Sequence, residues 1–276
     1  MRGYKIRSFP EKNYRSIYIN GKTLRLRYDD SKPIEELDFP EFYDVKITEK
    51  CNGKCPWCYQ DSNPGDKHYM DALKKIDLFF GAMTNNQKPY QVAIGGGEPT
   101  MHPNFVDILE KFHNLGITPN YTTNGMHYSN KLLEATKNYC GGVAVSCHDH
   151  LYGYWSNFAR IMAHEEVHTN LHLIISDKDS IDSFTRTFIE FEDKINYFVL
   201  LPHAAQGRAV SKELGIKYLI NRLRELESTK IAFGALFYPY LAEYKDEFSL
   251  SLYEPEIMSK YLDLGNMQLY KSSFNC

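Results

Sequence analysis

Residues 43–59 read YDVKITEKCNGKCPWCY, and this stretch decides the fold. A short β-prone run, 43–47, leads directly into a loop with three cysteines at the spacing Cys-x₃-Cys-x₂-Cys: Cys51, Cys55 and Cys58. In parallel α/β proteins, the carboxyl ends of the strands are where active sites form. The stretch therefore predicts a reactive centre at the end of a first parallel strand.

Five more β-prone runs follow, and stretches with helical spacing of apolar residues separate the six. The later runs are 91–94, 117–122, 142–146, 168–175 and 197–201, and the helical stretches are 70–83, 103–115, 129–138, 154–166 and 181–193. In 103–115, Pro103 suits a first helical turn and Gly116 a stop. The order predicts an α/β fold with a parallel sheet that curves into a full or partial barrel.

The two ends of the chain have other patterns. Residues 16–27 alternate around Asn20-Gly21, which predicts a β-hairpin. After residue 210 we expect a charged helix over 211–228 and a strand-like run at 231–237, followed by a tail without a clear pattern.

The first 27 residues are basic, with eight Lys or Arg and one acid, Glu11. One interpretation is an edge hairpin that its charges keep from aggregating. The other is a basic flap over an anionic substrate such as a nucleotide or nucleic acid.

The composition is that of an ordinary globular protein: 276 residues, 43% hydrophobic, 24% charged and a net charge of −3. No apolar run approaches the roughly 18–20 residues that span a bilayer, and the start lacks a signal-peptide core. We therefore expect a cytoplasmic protein with no membrane partner. The net charge argues against a surface built throughout to bind nucleic acid.

Three cysteines within eight residues of one another indicate metal or redox chemistry in a reducing compartment. Three thiolates on a cubane cluster leave one iron free for another ligand, whereas four-cysteine ferredoxin sites leave none. Zinc is the competing interpretation, with His148, His150 or a distant cysteine as the fourth ligand. The segment 146–150 has a second interpretation, as polar lining of the site or a hydrated loop.

The cysteine loop, with Trp57 before the third cysteine, resembles the signature of the radical S-adenosylmethionine (SAM) superfamily. Residues 94–99, IGGGEP, resemble the family's GGEP element, which holds the amino group of SAM. Residues 121–125, YTTNG, resemble a segment of the branch that modifies peptides and cofactor precursors. A Gly-Arg pair, Gly207-Arg208, follows the sixth strand as it does in that branch.

The resemblance implies a partial (β/α)6 radical SAM barrel with an N-terminal β-hairpin and a C-terminal extension. The expected parts are 1–42 (hairpin and linker), 43–210 (core barrel) and 211–276 (extension). The hairpin and the tail are candidate lids over the barrel mouth. The implied ligands of one [4Fe–4S] cluster are Cys51, Cys55 and Cys58. The implied SAM-binding residues are Trp57, Tyr59, Gly96, Gly97, Glu98, Thr123, Asn124, Ser146, Arg160, Leu173 and His203.

The implied reaction is reductive cleavage of SAM to a 5′-deoxyadenosyl radical, which abstracts hydrogen from a peptide or amino-acid-derived substrate. A flavodoxin- or ferredoxin-type protein would supply the electron. The same chemistry on a nucleotide or nucleic acid is the alternative, and a non-catalytic iron–sulfur or zinc sensor is a third. Because Cys276 is the one cysteine after Cys147, no auxiliary cluster of the SPASM type is expected. Cys140 and Cys147 are expected in the core beside the fourth strand.

Overall fold

The structure, a computed structural model, describes residues 4–19, 21–248 and 255–274. Cys276, for which the sequence indicates no definite role, lies outside these residues. The chain begins with a three-stranded antiparallel sheet: β1 (Lys5–Phe9), β2 (Tyr14–Ile19) and β3 (Lys22–Leu26). The predicted hairpin is β2–β3, and β1 adds a strand that the sequence pattern did not indicate.

Six parallel strands alternate with helices in the centre of the chain, as predicted. The strands are β4 (Phe42–Lys46), β5 (Gln91–Gly95), β6 (Thr118–Thr123), β7 (Gly142–Ser146), β8 (Thr169–Ile175) and β9 (Tyr197–Pro202). The helices are α1 (Ala72–Ile76), α2 (Phe105–Asn114), α3 (Asn130–Tyr139), α4 (Tyr152–His164) and α5 (Lys178–Phe191). Each strand pairs in parallel with the next along the chain, so the α/β fold class is confirmed.

Side chains alternate between the two faces of this sheet, as strand geometry requires. In β4, Tyr43 and Val45 are buried in the core that the helices cover, and the Tyr43 ring contacts Phe80 just after α1. Asp44 and Lys46 therefore point to the opposite side, which we call the inner face. The same alternation runs through β8, where Leu171 and Leu173 belong to the helix-covered core.

The C-terminal part returns to the central sheet. Its elements are α6 (Ile216–Leu226), β10 (Ile231–Phe233), α7 (Tyr238–Leu241), α8 (Pro255–Met258), β11 (Ser259–Asp263) and β12 (Gln268–Tyr270). β10 extends the sheet beside β9, and β11 pairs in parallel with β4, with β12 antiparallel outside it. The described strands from β4 onward thus form one nine-stranded sheet in the order β10-β9-β8-β7-β6-β5-β4-β11-β12. Only the first residues of the strand-like run at 231–237 form a strand, and a 3₁₀ turn follows.

The N-terminal sheet packs against the amino ends of the central strands. Arg25 pairs with Glu41 at 2.8 Å, and Glu41 directly precedes β4. Tyr18 stacks on Tyr90, which precedes β5, with 4.9 Å between ring centroids. The cysteine loop follows the carboxyl end of β4, at the opposite edge. The interpretation of the hairpin as a flap or lid over the substrate is therefore wrong. The buried face of the hairpin packs against the amino ends of the strands, at the other end of the sheet from the cysteine loop.

In the part of the chain that the structure describes, no helix has the length and apolarity needed to cross a bilayer.

Replacing Glu41 tests the attachment of the N-terminal sheet. Its carboxylate, 3% exposed, accepts hydrogen bonds from Arg25 and Tyr14 and is the acid beside the buried Arg7. We expect Glu41→Ala to lower the free energy of unfolding by about 3 kcal/mol, because it leaves buried positive charge without its counter-charge. Urea denaturation measures the change.

Glu225→Ala is the matched control, since Glu225 forms an exposed pair with Arg222 at 2.6 Å. Its loss should change the stability by less than about 1 kcal/mol. Equal effects of the two substitutions would contradict the role of Glu41.

Candidate active site

The loop after β4 brings cysteine thiols together around Gly53. A Cβ atom on Gly53 would lie 3.4 Å from the Cys55 Sγ and 3.5 Å from the Cys51 Sγ. The Gly53 amide donates to the Cys51 Sγ at 3.3 Å, and the Cys58 amide donates to the Cys55 carbonyl at 3.2 Å, which folds the second half of the loop back. The backbone thus holds the cysteines in one compact turn.

Burial makes these thiols weak acids in the absence of a cation. It raises the pKa of Cys51 to about 11 and that of Cys55 to about 12, and the neighbouring thiols add to both shifts. A bound metal centre reverses this situation, because its positive charge stabilises thiolates.

The glycines after β5 hold the chain that leads into this loop. A Cβ atom would lie 2.2 Å from the Thr48 carbonyl oxygen at Gly96 and 2.1 Å from the Lys50 carbonyl oxygen at Gly97, far inside contact distance. Gly96 also has a φ of +120°, which favours glycine. The Gly97 and Glu98 amides donate to the same two carbonyls, each at 2.8 Å. The close approach that glycine permits here is to the backbone before Cys51.

Glu98 connects the ends of β5 and β6. Its carboxylate, 2% exposed, accepts from the Thr100 hydroxyl at 2.6 Å, the Thr123 hydroxyl at 2.8 Å and the Asn124 amide at 2.7 Å. The Asn124 side chain in turn donates to the Asn52 side chain in the cysteine loop at 2.8 Å. The polar groups of the TTNG segment are thus engaged in joining three loops, and the Glu98 carboxylate has protein donors on both oxygens.

A third contact comes from the loop after β9. Gly207, at a φ of 61°, lies so close to the cysteine loop that a Cβ atom would be 2.6 Å from the Cys58 carbonyl oxygen. The Arg208 amide donates to that carbonyl at 3.0 Å, and its guanidinium donates to the Asn63 side chain at 2.6 Å. His203 lies in the same loop, where its Nε2 is 2.7 Å from the Val210 carbonyl oxygen.

Trp57, within the cysteine loop, contacts the loop after β7. Its ring centroid is 5.5 Å from those of His148 and His150. The His150 Nε2 is 3.1 Å from the Gly53 carbonyl oxygen and 3.9 Å from the Cys55 Sγ. The indole N–H of Trp57 is buried and has no hydrogen-bond partner in the described structure. The histidines therefore line this side of the loop, and the N–H remains available to an acceptor on a ligand.

Two residues expected at the SAM site lie elsewhere. Arg160 bonds to Glu190 and packs over the Phe191 ring at 5.0 Å, so its contacts are on α4 and α5 in the helical layer. The Leu173 side chain is 5% exposed and faces the helices. Strand alternation directs its neighbours His172 and Ile174, and not the Leu173 side chain, to the inner face.

The remaining expected residues are near strand ends. Ser146 ends β7 with its side chain on the inner face. The Tyr59 ring lies 4.7 Å from that of Phe274, so the tail reaches the end of the cysteine loop. Cys140 and Cys147 pack against the core, as predicted.

Within residues 4–19, 21–248 and 255–274, no three His, Cys, Asp or Glu side chains are grouped as ligands of one metal ion. A cubane [4Fe–4S] cluster differs from a single metal ion, because each of the three cysteine thiolates binds a different iron atom.

Comparison with known proteins relates the cysteine loop and its surroundings to one superfamily. The sequence model of the radical SAM superfamily matches residues 45–149, from β4 to the loop after β7. The chain contains a radical SAM domain. The members of this superfamily are enzymes, and the cofactors of the domain are SAM and a [4Fe–4S] cluster. The compact cysteine loop and the unpartnered indole N–H fit these cofactors.

Relatives of known function match over a limited region. A GTP 3′,8-cyclase of Shewanella denitrificans is 35% identical over 88 residues, which is 29% of this chain and 25% of the relative. A PqqA peptide cyclase of Methylorubrum extorquens is 28% identical over 96 residues, 34% of this chain and 24% of the relative. The chain thus matches about a quarter of the length of these proteins.

The fold is similar over nearly the whole chain to a solved structure. SuiB of Streptococcus suis, solved with its precursor peptide SuiA, has a TM-score of 0.70 at 13% identity. The similarity covers 99% of this chain and 82% of SuiB. At this identity the likeness establishes the fold alone.

Sequence reasoning gave no role to several residues that hold the loop. Arg208 was noted only as part of a Gly-Arg pair, and His150 only as a metal ligand or polar lining. Asn52 gave no signal. Their contacts join segments that are 72 to 146 residues apart in the chain, which no local pattern reveals.

Substitution of the two neighbouring glycines Gly97 and Gly95 tests the contact between loops. In Gly97→Ala the new methyl group collides with two backbone carbonyls, of Lys50 and Glu49, and we expect a loss of about 1–3 kcal/mol of stability. We also expect less iron and sulfide bound per chain after anaerobic reconstitution, because the cysteine loop shifts.

Gly95→Ala is the control, since a Cβ atom at Gly95 meets nothing within 4 Å. It should retain wild-type stability and iron content. The proposed contact would be contradicted if Gly97→Ala bound iron as well as Gly95→Ala.

Proposed function

We propose that this chain is a radical SAM enzyme whose [4Fe–4S] cluster is held by Cys51, Cys55 and Cys58. The observation that carries the proposal is the compact cysteine loop, held by contacts from the loops after β5, β6, β7 and β9. Bound there, the two cofactors supply one-electron cleavage of SAM and a carbon radical that abstracts hydrogen. The protein positions these groups and shields them.

The protein's own residues have three tasks in this scheme. Gly96, Gly97 and Arg208 fix the cysteine loop through backbone contacts, so that the cluster would have a constant position. Glu98 acts as a positioning residue, because its carboxylate joins the ends of β5 and β6. The Trp57 indole N–H is a candidate donor to SAM or to a sulfide of the cluster.

The tail, rather than the N-terminal sheet, would shield the cofactors from water. The rings of Tyr59 and Phe274 meet at the cysteine loop, on the edge where the radical would form. Exclusion of water at that edge protects a reactive intermediate. We assign residues 211–276 to an extension whose described tail reaches this edge at Phe274, with 43–210 as the core and 1–42 as the attached N-terminal part.

We propose a peptide or amino-acid-derived substrate. The TTNG and Gly-Arg segments and the likeness of nearly the whole chain to SuiB support this class. PqqA peptide cyclase is a relative, but a GTP cyclase is another. The basic N-terminal sheet no longer favours a nucleotide at the reacting site, because it packs at the opposite edge. A flavodoxin- or ferredoxin-type protein is the proposed electron donor.

The cysteine assignment is tested by Cys55→Ala, with Cys140→Ala as a control for the loss of a core thiol. After anaerobic reconstitution, Cys55→Ala should lack the four-iron spectrum and form 5′-deoxyadenosine from SAM only at background level. Cys140→Ala should keep both. A Cys55→Ala variant with a four-iron spectrum and wild-type 5′-deoxyadenosine output would refute the assignment.

The substrate class is tested by deuterium transfer. Deuterated peptides and deuterated GTP are incubated separately with the reduced enzyme and SAM, and 5′-deoxyadenosine is examined by mass spectrometry. We expect label from peptides and none from GTP. Transfer from GTP alone would replace the peptide proposal with the nucleotide alternative.

A further inference from the structure

One sulfur atom of the cysteine loop faces a histidine ring from another loop. The Nε2 atom of His150 lies 3.9 Å from the Cys55 Sγ and 3.1 Å from the Gly53 carbonyl oxygen. Gly53 is buried, and its own amide donates to the Cys51 Sγ at 3.3 Å. The ring of His150 therefore contacts the cysteine loop both at its backbone and at a thiol.

The contact with the carbonyl decides which ring nitrogen of His150 carries the hydrogen. A carbonyl oxygen only accepts hydrogen bonds, so the Nε2 atom near the Gly53 oxygen carries the hydrogen and donates it. The Cys55 Sγ is the second, weaker acceptor of the same N–H. A ring nitrogen that carries a hydrogen has no lone pair for a metal, so this geometry does not fit the interpretation of His150 as a zinc ligand through Nε2.

Neighbouring rings hold His150 in place, although the residue itself is exposed. The Trp57 ring meets it edge-on with 5.5 Å between centroids, and the His148 ring stacks on it at 5.9 Å. The loop is also anchored in the core, because the indole N–H of the buried Trp155 donates to the His148 carbonyl at 3.1 Å. The donor is thus oriented toward the cysteine loop before any cofactor binds.

We propose that His150 is a positioning residue whose Nε2–H holds the Gly53 carbonyl and donates to the Cys55 sulfur, which raises the reduction potential of the bound cluster. Reduction adds one electron, and therefore one negative charge, to the cluster and its thiolates. An N–H dipole that points at a ligand sulfur stabilises this charge, and hydrogen bonds to the sulfurs help to set the potential of such clusters. The inference rests on the proposed function, because it takes Cys55 as a cluster ligand.

The test replaces the donor and measures the potential. His150→Leu removes the N–H, whereas His150→Gln keeps an N–H donor at the same number of bonds from the Cβ atom. Each protein is reconstituted anaerobically with iron and sulfide, and the reduced cluster is quantified by electron paramagnetic resonance at fixed solution potentials. At equal potential we expect the ratio of reduced to oxidised cluster to fall about tenfold in His150→Leu, which is a shift of about 59 mV for a one-electron couple. His150→Gln should keep the wild-type ratio.

His164→Leu is the matched control, because the His164 side chain is 86% exposed at the end of α4. It should keep the wild-type ratio. Iron content is measured on the same samples to separate occupancy from potential. An unchanged or higher ratio in His150→Leu, or an equal fall in His150→Gln, would overturn the inference. Loss of the cluster from both His150 variants would also overturn it and assign His150 to cluster assembly.

The position of the ring hydrogen is measured on the wild-type chain, independently of the stability of a variant. NMR of cluster-free protein labelled with ¹⁵N at histidine, at pH 8 where free imidazole is neutral, shows which ring nitrogen carries the hydrogen. We expect the Nε2–H form of His150, and the Nδ1–H form would overturn the inference. A wild-type chain that bound no cluster would refute the proposed function itself. A wild-type cluster whose potential His150→Leu leaves unchanged would refute the inference alone.

Discussion

Two backbone hydrogen bonds join the start of the cysteine loop to the glycines after β5, and the rest of the site depends on them. The Thr48 and Lys50 carbonyls accept from the Gly97 and Glu98 amides, at a distance that leaves no room for a Cβ atom. This contact fixes the chain just before Cys51. Without this contact, a loop that contains three cysteines, Gly53 and Pro56 would adopt many conformations.

Polar side chains connect this contact to the ends of the neighbouring strands. Glu98 accepts from Thr123 and Asn124 at the end of β6, and Asn124 bonds to Asn52 in the cysteine loop. Arg208 closes the other side from the loop after β9. Glu98, Thr123 and Asn124 are buried, and Asn52 and Arg208 are half-buried. Breaking a contact of the buried groups leaves an unsatisfied donor or acceptor, so the loops hold one another in place.

Much of the fold followed from local patterns, and the errors have identifiable causes. The six strands and five helices were predictable because apolar spacing and end signals are properties of short segments. In 168–175, Leu171 and Leu173 alternate with Asn170 and His172. This alternation separates the two faces of the strand, but in a parallel sheet both faces can be buried, so it does not say which face the helices cover. Arg160 was expected at the SAM site as a donor on the helix after the fourth strand, whereas its direction depends on the turn of α4 that carries it.

The sequence by itself determined the chemistry, since the cysteine spacing and the GGGEP segment are short and need no distant partner to be recognised. Only the tertiary structure decided where the charged N-terminal sheet lies, since the pairing of Arg25 with Glu41 and the stacking of Tyr18 on Tyr90 join segments far apart in the chain. It also decided that β11 completes the sheet beside β4, a pairing between residues more than 200 positions apart.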